Sequence, residues 1–302
     1  MIITGYPFCG EPDLPRVLAL IQRMPLACRH ALDFPWRLSS PAIQEGRDAA
    51  FWEDENGRVV GFAAWQIYWA ALDFYILPGP TAKQVEAKLF SWAEARFREL
   101  DNERGRPLPY WVECRDDDYE RLQLVKAQGF MLEDDDSYVL FQHALDKLAP
   151  IPMLAEGFTL RPLLGEQEVA AYAELHRLAF ESASMNSAWR ARSLRTPQYR
   201  AELDLVISGP DGSPVAFCVG WFNPERQVAQ IEPIGVHHDF RRRGFARTLL
   251  LEILHRVKSL GAVSAFIEPF ADNVPIHATC EAVDFRRIHT IRRLGKWLTQ
   301  PV

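Results

Sequence analysis

No window of about 18 uncharged apolar residues occurs in the chain, and the opening stretch "MIITGYPFCGEPDLP" has no basic segment ahead of an apolar run. The sequence therefore predicts neither a membrane span nor export. A basic excess is also missing. The 34 Lys and Arg stand against 40 Asp and Glu, a formal charge of −6, whereas a protein that binds nucleic acid by displacing counterions needs the opposite balance. Cysteine is scarce. Cys9, Cys28, Cys114, Cys218 and Cys280 are odd in number, lie far apart and form no C-x-x-C or Cys/His pair of zinc spacing. That pattern excludes a disulfide framework, leads us to expect no metal, and fits a reducing, cytoplasmic setting. What remains is 302 residues, 48% of them hydrophobic, enough for about two domains with cores of their own. Charge is uneven between the halves, at roughly −8 for residues 1–150 and roughly +2 for 151–302.

Both halves follow one plan. In the first, 49–54 and 59–69 alternate like strands around Asn56-Gly57, a hairpin signal. A strand over 71–77 follows, then a helix over 81–100 with Val85, Leu89, Trp92, Ala93 and Phe97 on one stripe. A strand at 109–114, a helix stopping at Gly129 and an apolar run at 137–142 complete it. The second half repeats the order, with strands at 203–208 and 215–222 flanking Asp211-Gly212, and a strand at 228–236. Then come a helix from about Phe245 to Leu260, a strand at 262–269, a short helix from Val274 and a final run at 285–298. Gly57 and Gly212, Val60 and Val215, Phe62 and Phe217, and Phe130 and Phe285 share one offset. We read a tandem duplication: an α/β chain of two domains, 1–148 and 158–302, joined by a proline-bearing linker over 149–157. Each domain is expected to be a mixed sheet flanked by helices.

Three consecutive arginines, Arg241, Arg242 and Arg243, precede Gly244, Phe245, Ala246 and Arg247 at the mouth of an apolar helix. A charge run on a helix shoulder is commonly just a solvated face. A helix start, however, offers unpaired N–H groups and partial positive charge to a phosphate, provided the residues lining the turn lack bulk. Strand, R-x-x-G-x-A loop and amphipathic helix together resemble the acyl-CoA signature of the GNAT superfamily of N-acyltransferases. The resemblance covers most of residues 158–298 and implies two tandem GNAT-like domains, of the mycothiol synthase type of arrangement. It implies that Ile234, Gly235 and Val236 line the pantetheine arm, that Arg241 to Arg247 hold the pyrophosphate, and that Asn273 belongs to the coenzyme site. The first half has no such loop. Residues 77–84, "LPGPTAKQ", carry two prolines without N–H groups, so that half is expected to keep the fold without binding CoA in the usual way.

Acyl transfer from a thioester to an amine needs a base, an oxyanion partner and a tolerated thiolate. Glu232, among Ile231, Pro233 and Ile234 just before the loop, is the candidate base, with a solvent-facing carboxylate as the alternative. The superfamily's acid is a tyrosine in N-x-x-A-x-x-L-Y-E-x-x-G-F. Here "NVPIHATCEAVDF" has Cys280 in its place and Asp284 in place of the glycine, and no tyrosine follows Tyr199. Cys280 is the candidate acid, with a buried filler as the alternative. His237 and His238 are adjacent, and strand alternation would point them to opposite faces. Glu268 could meet the acceptor, though a surface carboxylate is the commoner role for such a residue. The expectation is a cytoplasmic N-acetyltransferase carrying acetyl from acetyl-CoA to a small-molecule or peptide amine, without metal, nucleic acid or membrane. The alternative is a non-catalytic GNAT-fold protein that holds CoA or a partner.

Overall fold

The computed structural model describes residues 2–26, 28–44 and 46–298. In chain order the first half carries β1 (Thr4–Pro7), α1 (Leu14–Ile21), α2 (Phe34–Leu38), β2 (Ala49–Glu53), β3 (Val59–Gln66), β4 (Ala71–Ile76), α3 (Ala82–Arg104), β5 (Tyr110–Arg115), α4 (Tyr119–Ala127) and β6 (Met131–His143). The second carries β7 (Thr159–Pro162), α5 (Val169–Phe180), α6 (Ser187–Leu194), β8 (Asp204–Ser208), β9 (Pro214–Asn223), β10 (Val228–Val236), α7 (Phe245–Ser259), β11 (Ser264–Ile267), α8 (Val274–Glu281) and β12 (Arg286–Lys296). The repeat runs through the whole chain. Thr4 and Thr159, Leu14 and Val169, Ala49 and Asp204, Val59 and Pro214, Tyr119 and Val274, and Met131 and Arg286 open matching elements at a constant offset of 155.

Local chemistry repeats at that offset too. Gly57 and Gly212 turn the two hairpins at φ 73° and 82°. Asp118 caps α4 by accepting from Arg121 N–H, as Asn273 caps α8 by accepting from Ile276 N–H. Gly129 ends its turn at φ 84°, and Asp284 takes the same left-handed conformation at φ 65°. Asn and Asp tolerate that region better than other side chains, which explains how the departure from the glycine pattern is accommodated.

The chain divides into two compact units, one running to Ser137 and resuming at Thr290, the other spanning Tyr138–His289. This is not the linear division at 149–157, and the reason lies in the sheets. In the first unit the strand order is β1-β2-β3-β4-β5-β12, closed by pairing Ile291–Lys296 antiparallel to β5. In the second it is β6-β11-β10-β9-β8-β7, closed by pairing Phe141–His143 antiparallel to β11. Each half of the sequence thus lends its last strand to the other half's sheet.

Within the first unit α3 covers one sheet face, packing Leu89, Phe90 and Phe97 against Trp65 and Tyr110; α1 and α2 cover the other, over Phe62 and Tyr75. All eight residues of β3 are buried, as a strand covered on both faces requires. In the second unit α7 and α8 cover one face, with Leu249, Leu250, Ile253 and Leu254 against Leu205, Cys218 and Ala265. The opposite face carries α5, through Tyr172 and Leu175 against Val206 and Phe217. Each such side chain, fully buried, stabilises the fold by about 1.5–3 kcal/mol. Segment 179–200, which has little periodicity, contains α6, held to the sheet by a wholly buried Arg190–Asp204 ion pair. Tyr199 Oη donates to Asp204 at 2.8 Å, and the Arg190 guanidinium lies 3.7 Å over the Tyr172 ring.

Candidate active site

The site forms where β10 leaves β11. The two strands pair in parallel from Val228–Ser264 to Ile231–Ile267 and then stop, while β10 stays paired with β9 as far as Val236. The register on β9 shifts between Ile231 and Ile234, so a bulge sits at the point of divergence and re-aims the rest of the strand. Ile234, Gly235 and Val236 therefore lie along an edge that β11 does not cover, the position expected for residues lining an extended ligand arm.

Gly235 is there because nothing larger fits. A Cβ at this position would meet Phe217 Cζ at 2.5 Å, Phe217 Cε1 at 2.7 Å and Ala179 Cβ at 3.0 Å. The Phe217 ring cannot swing aside, since it is wholly buried and packs against Tyr172, His176 and Phe180. Gly235→Ala is expected to destabilise the second unit by about 1–3 kcal/mol through overpacking, read by denaturant titration; an unchanged midpoint would show that the ring yields freely.

The following loop turns into α7. Phe240 N–H donates to the His237 carbonyl and Arg241 N–H to the His238 carbonyl. Beyond that, among the described residues, the N–H groups of Arg242, Arg243, Gly244, Phe245, Ala246 and Arg247 meet no acceptor, and the first helical bond of α7 runs from Thr248 to Gly244. Two left-handed residues shape this run, Arg242 at φ 64° and Gly244 at φ 82°. A non-glycine residue held there costs on the order of 1–3 kcal/mol, and such strain clusters at ligand clamps. Successive N–H groups gathered in this way, at a helix start, form an anion-binding concavity.

The arginines divide into two kinds. Arg241 Nη2 donates to the Ala179 carbonyl at 2.9 Å and so ties the loop to the end of α5. The Arg243 guanidinium lies 5.3 Å from the Phe240 ring centre and 5.8 Å from that of Phe158, and Phe158 also packs on buried Phe245. Arg242 and Arg247 are exposed and, among the described residues, form no hydrogen bond or ion pair; theirs is the charge available to a ligand. Ala246 is half-buried beside them.

His237 and His238 depart from expectation. They lie past the end of β10 in a short helical turn, and their rings stack at 4.3 Å instead of pointing apart. His237 Nδ1 accepts from Asp239 N–H, a loop-bracing role.

In the first unit the corresponding loop is closed. Pro78 and Pro80 have no N–H, and Ala82, Gln84 and Val85 donate theirs to the Gly79 and Thr81 carbonyls. The gap beside β4 is filled as well. Trp111 N–H bonds the Ala70 carbonyl, so by strand alternation the Phe74 carbonyl faces the same gap. It accepts there from Arg121 Nη1 at 2.9 Å, with the guanidinium 3.7 Å over the Phe74 ring.

Of the catalytic candidates, Glu232 lies half-buried on the α5 face of the sheet, its carbonyl fixed by Trp221 Nε1 at 2.7 Å. It is near enough to act on Tyr172, whose phenol is raised by burial, opposed by Arg190, and raised further by Asp204, Cys218 and Glu232. Cys280 sits elsewhere. It is wholly buried in the core shared by α7 and α8, and burial pushes its thiol up to about 12. The surroundings are those of a packing residue, and a thiol in them meets no solvent-borne group. Asn273 is occupied in capping α8, and Glu268 is half-buried just past β11.

His176, which stacks on Phe217 beneath the site, is neutral in the fold. Burial first, then Arg190 and Arg177, lower it from 6.5 to about 3. The unfolded chain takes up this proton below about pH 6.5 and the folded chain does not. The contribution of His176 is therefore complete above that pH and is lost as the pH falls toward 3, by about 1.4 kcal/mol per unit. His176→Phe should flatten this part of the stability–pH curve; an unaltered acid slope would show that another group sets it.

The strand divergence, the left-handed loop and the run of N–H groups without acceptors together form a candidate anion-binding site. The acetyltransferase (GNAT) family model matches residues 166–285, and that stretch is a GNAT domain. No curated protein matches the sequence significantly. Among solved structures, a tandem GNAT protein from the clavulanic acid biosynthesis pathway aligns at TM-score 0.66 and 15% identity, covering 100% of both chains. A GCN5-related N-acetyltransferase from Sphaerobacter thermophilus aligns at 0.61 and 18%, over 99% of this chain and 97% of that one. A GNAT-family acetyltransferase from Colwellia psychrerythraea aligns at 0.59 and 14%, over 98% and 99%. The family's sequence signal thus lies in the second half, and the chain as a whole shares its fold with these tandem GNAT and GNAT-type structures.

No helix among the described residues is long and apolar enough to cross a membrane.

Proposed function

We propose that the second unit transfers an acyl group, acetyl in the first instance, from coenzyme A to a primary amine by direct attack. One observation carries this reading: the unbroken run of N–H groups from Arg242 to Arg247 without acceptors, set at the start of α7 beside the point where β10 leaves β11. A diphosphate placed there would satisfy several donors at once, with Arg242 and Arg247 adding charge. The pantetheine arm would then follow Ile234, Gly235 and Val236. Glu232, on the α5 face, would take the amine proton directly or through water as the base. A loop amide near Val236 would support the oxyanion. The burial of Cys280 favours a mechanism in which the thiolate draws its proton from solvent.

The same burial, together with the missing tyrosine, also favours a second reading, a unit that binds CoA without turnover. One experiment separates the two. The full chain is incubated with acetyl-CoA and a panel of primary amines (polyamines, amino sugars, amino acid amides and short peptides with free N-termini), and released thiol is followed. Amine-dependent release supports transfer. Tight CoA binding without release supports the binding module, and absence of binding overturns both.

A further inference from the structure

The strand exchange brings Tyr138, a residue of the first half of the sequence, into the second unit's sheet. The pairing of β6 with β11 runs in one register from Ala265–His143 through Ile267–Phe141. It continues without a break, as Val139 N–H donates to the Pro269 carbonyl and Tyr138 bridges Phe270. Val139, Phe141 and Ile267 point into the core under α7 and α8. By alternation Tyr138 and Phe270 stand on the opposite face, and their rings stack at 4.6 Å with 24° between planes. That is the face of Glu232. Ile231 and Ile267 are the last paired residues of β10 and β11, so Glu232 and Glu268 each follow directly where the strands begin to part, and Phe270 lies two positions past Glu268, about 7 Å along the strand. Phe270 is 44% exposed and Tyr138 half-buried.

We infer that Tyr138, carried by β6, is an acceptor-contacting residue of the second unit. With Phe270 it forms an aromatic wall beside two carboxylates, a combination that suits a cationic amine: the carboxylates draw in the ammonium, and the ring faces hold it by cation–π attraction. The acceptor is accordingly an amine that arrives protonated and yields its proton to Glu232. The inference rests on the proposed acyl transfer.

The test uses Tyr138→Phe, Tyr138→Leu and Tyr138→Ala in the full chain, with the fastest amine of the thiol-release panel. Loss of the ring in the Leu and Ala variants is expected to raise the acceptor KM by about tenfold, with kcat and the Kd for CoA changed by less than about threefold. Tyr138→Phe should restore the KM, because the ring face is what acts. A strand-packing role would instead lower the melting temperature of the Leu variant and leave its KM alone. An acceptor KM unmoved by loss of the ring, in an enzyme that is active as wild type, overturns this inference and leaves the transfer reading standing. A wild-type chain that turns over no amine in the panel overturns both.

Discussion

Gly244→Glu is expected to weaken coenzyme A binding by at least about a hundredfold while the chain stays folded. Gly244 is the hinge between the loop and α7, at φ 82°, and a Cβ built there meets nothing within 4 Å. The added side chain would therefore enter the open mouth of the loop, not the core. It brings a negative charge beside the N–H groups of Arg242 to Arg247, which meet no acceptor among the described residues. Hydrogen bonds to a charged group contribute about 1.5–3 kcal/mol each, so forfeiting even two of them accounts for the predicted loss. Backbone strain must be separated from charge, since a side chain at positive φ costs on the order of 1–3 kcal/mol. Gly244→Asn supplies the control: Asn tolerates the left-handed region, adds bulk without charge, and should bind CoA more weakly than wild type but far better than the Glu variant. Calorimetric titration with CoA at fixed salt, beside melting curves, reads both effects. Wild-type affinity in the Glu variant would show that the diphosphate lies elsewhere.

How much of this was legible in the sequence depends on the range of the forces involved. Hairpins at Asn56-Gly57 and Asp211-Gly212 and the amphipathic stripes of α3 and α7 depend on neighbours a few residues away, and the sequence displays them. The loop before α7 was readable for the same reason: clearance, charge and helix start all lie between Arg241 and Arg247. Helices α1, α2, α5 and α6 escaped. Arg190, on α6, is wholly buried only because Asp204, far along the chain, neutralises it, and no local pattern announces a buried arginine. The strand exchange was equally hidden. The run at 137–142 reads as the last strand of its own half, and nothing in its alternation says which β5-like strand it will pair with. With the exchange hidden, nothing local assigns Tyr138 to the second unit.

The two units share a core arrangement and differ at the loop where the ligand site is proposed. The first unit keeps the strands, the caps and the long helix, and it differs where β4 gives way to α3. There the backbone donors are removed by Pro78 and Pro80 or used within the turn, and Arg121 bonds the Phe74 carbonyl from inside the gap. Burial lowers the affinity of the Arg121 guanidinium for its proton, but neighbouring Cys114, Cys28, Tyr75 and Asp118 raise it more. The charge therefore stays on, as a plug bonded to the strand edge must have it. The second unit leaves the same edge open along Ile234, Gly235 and Val236.

Glu232→Gln then addresses the chemistry instead of the binding. Gln matches Glu in size, and the anchor that fixes this part of β10 is the residue 232 carbonyl, which Trp221 Nε1 holds at 2.7 Å whatever the side chain. The substitution should therefore leave the bulge, the strand divergence and the Kd for CoA unchanged. A positioned general base contributes about 10²–10⁴-fold, so kcat with the best amine should fall by that range. The pH–rate profile carries the sharper signature. A carboxylate base gives the rate an acid limb, and in the Gln variant that limb should disappear, leaving only the deprotonation of the amine itself. Loss of kcat with the limb retained would mean that Glu232 orients the amine while another group takes its proton, and an undiminished kcat would remove Glu232 from the reaction. Glu268→Gln, one strand away, distinguishes charge from base chemistry: it weakens the attraction for a cationic acceptor and so raises KM, but its acid limb should match the wild type.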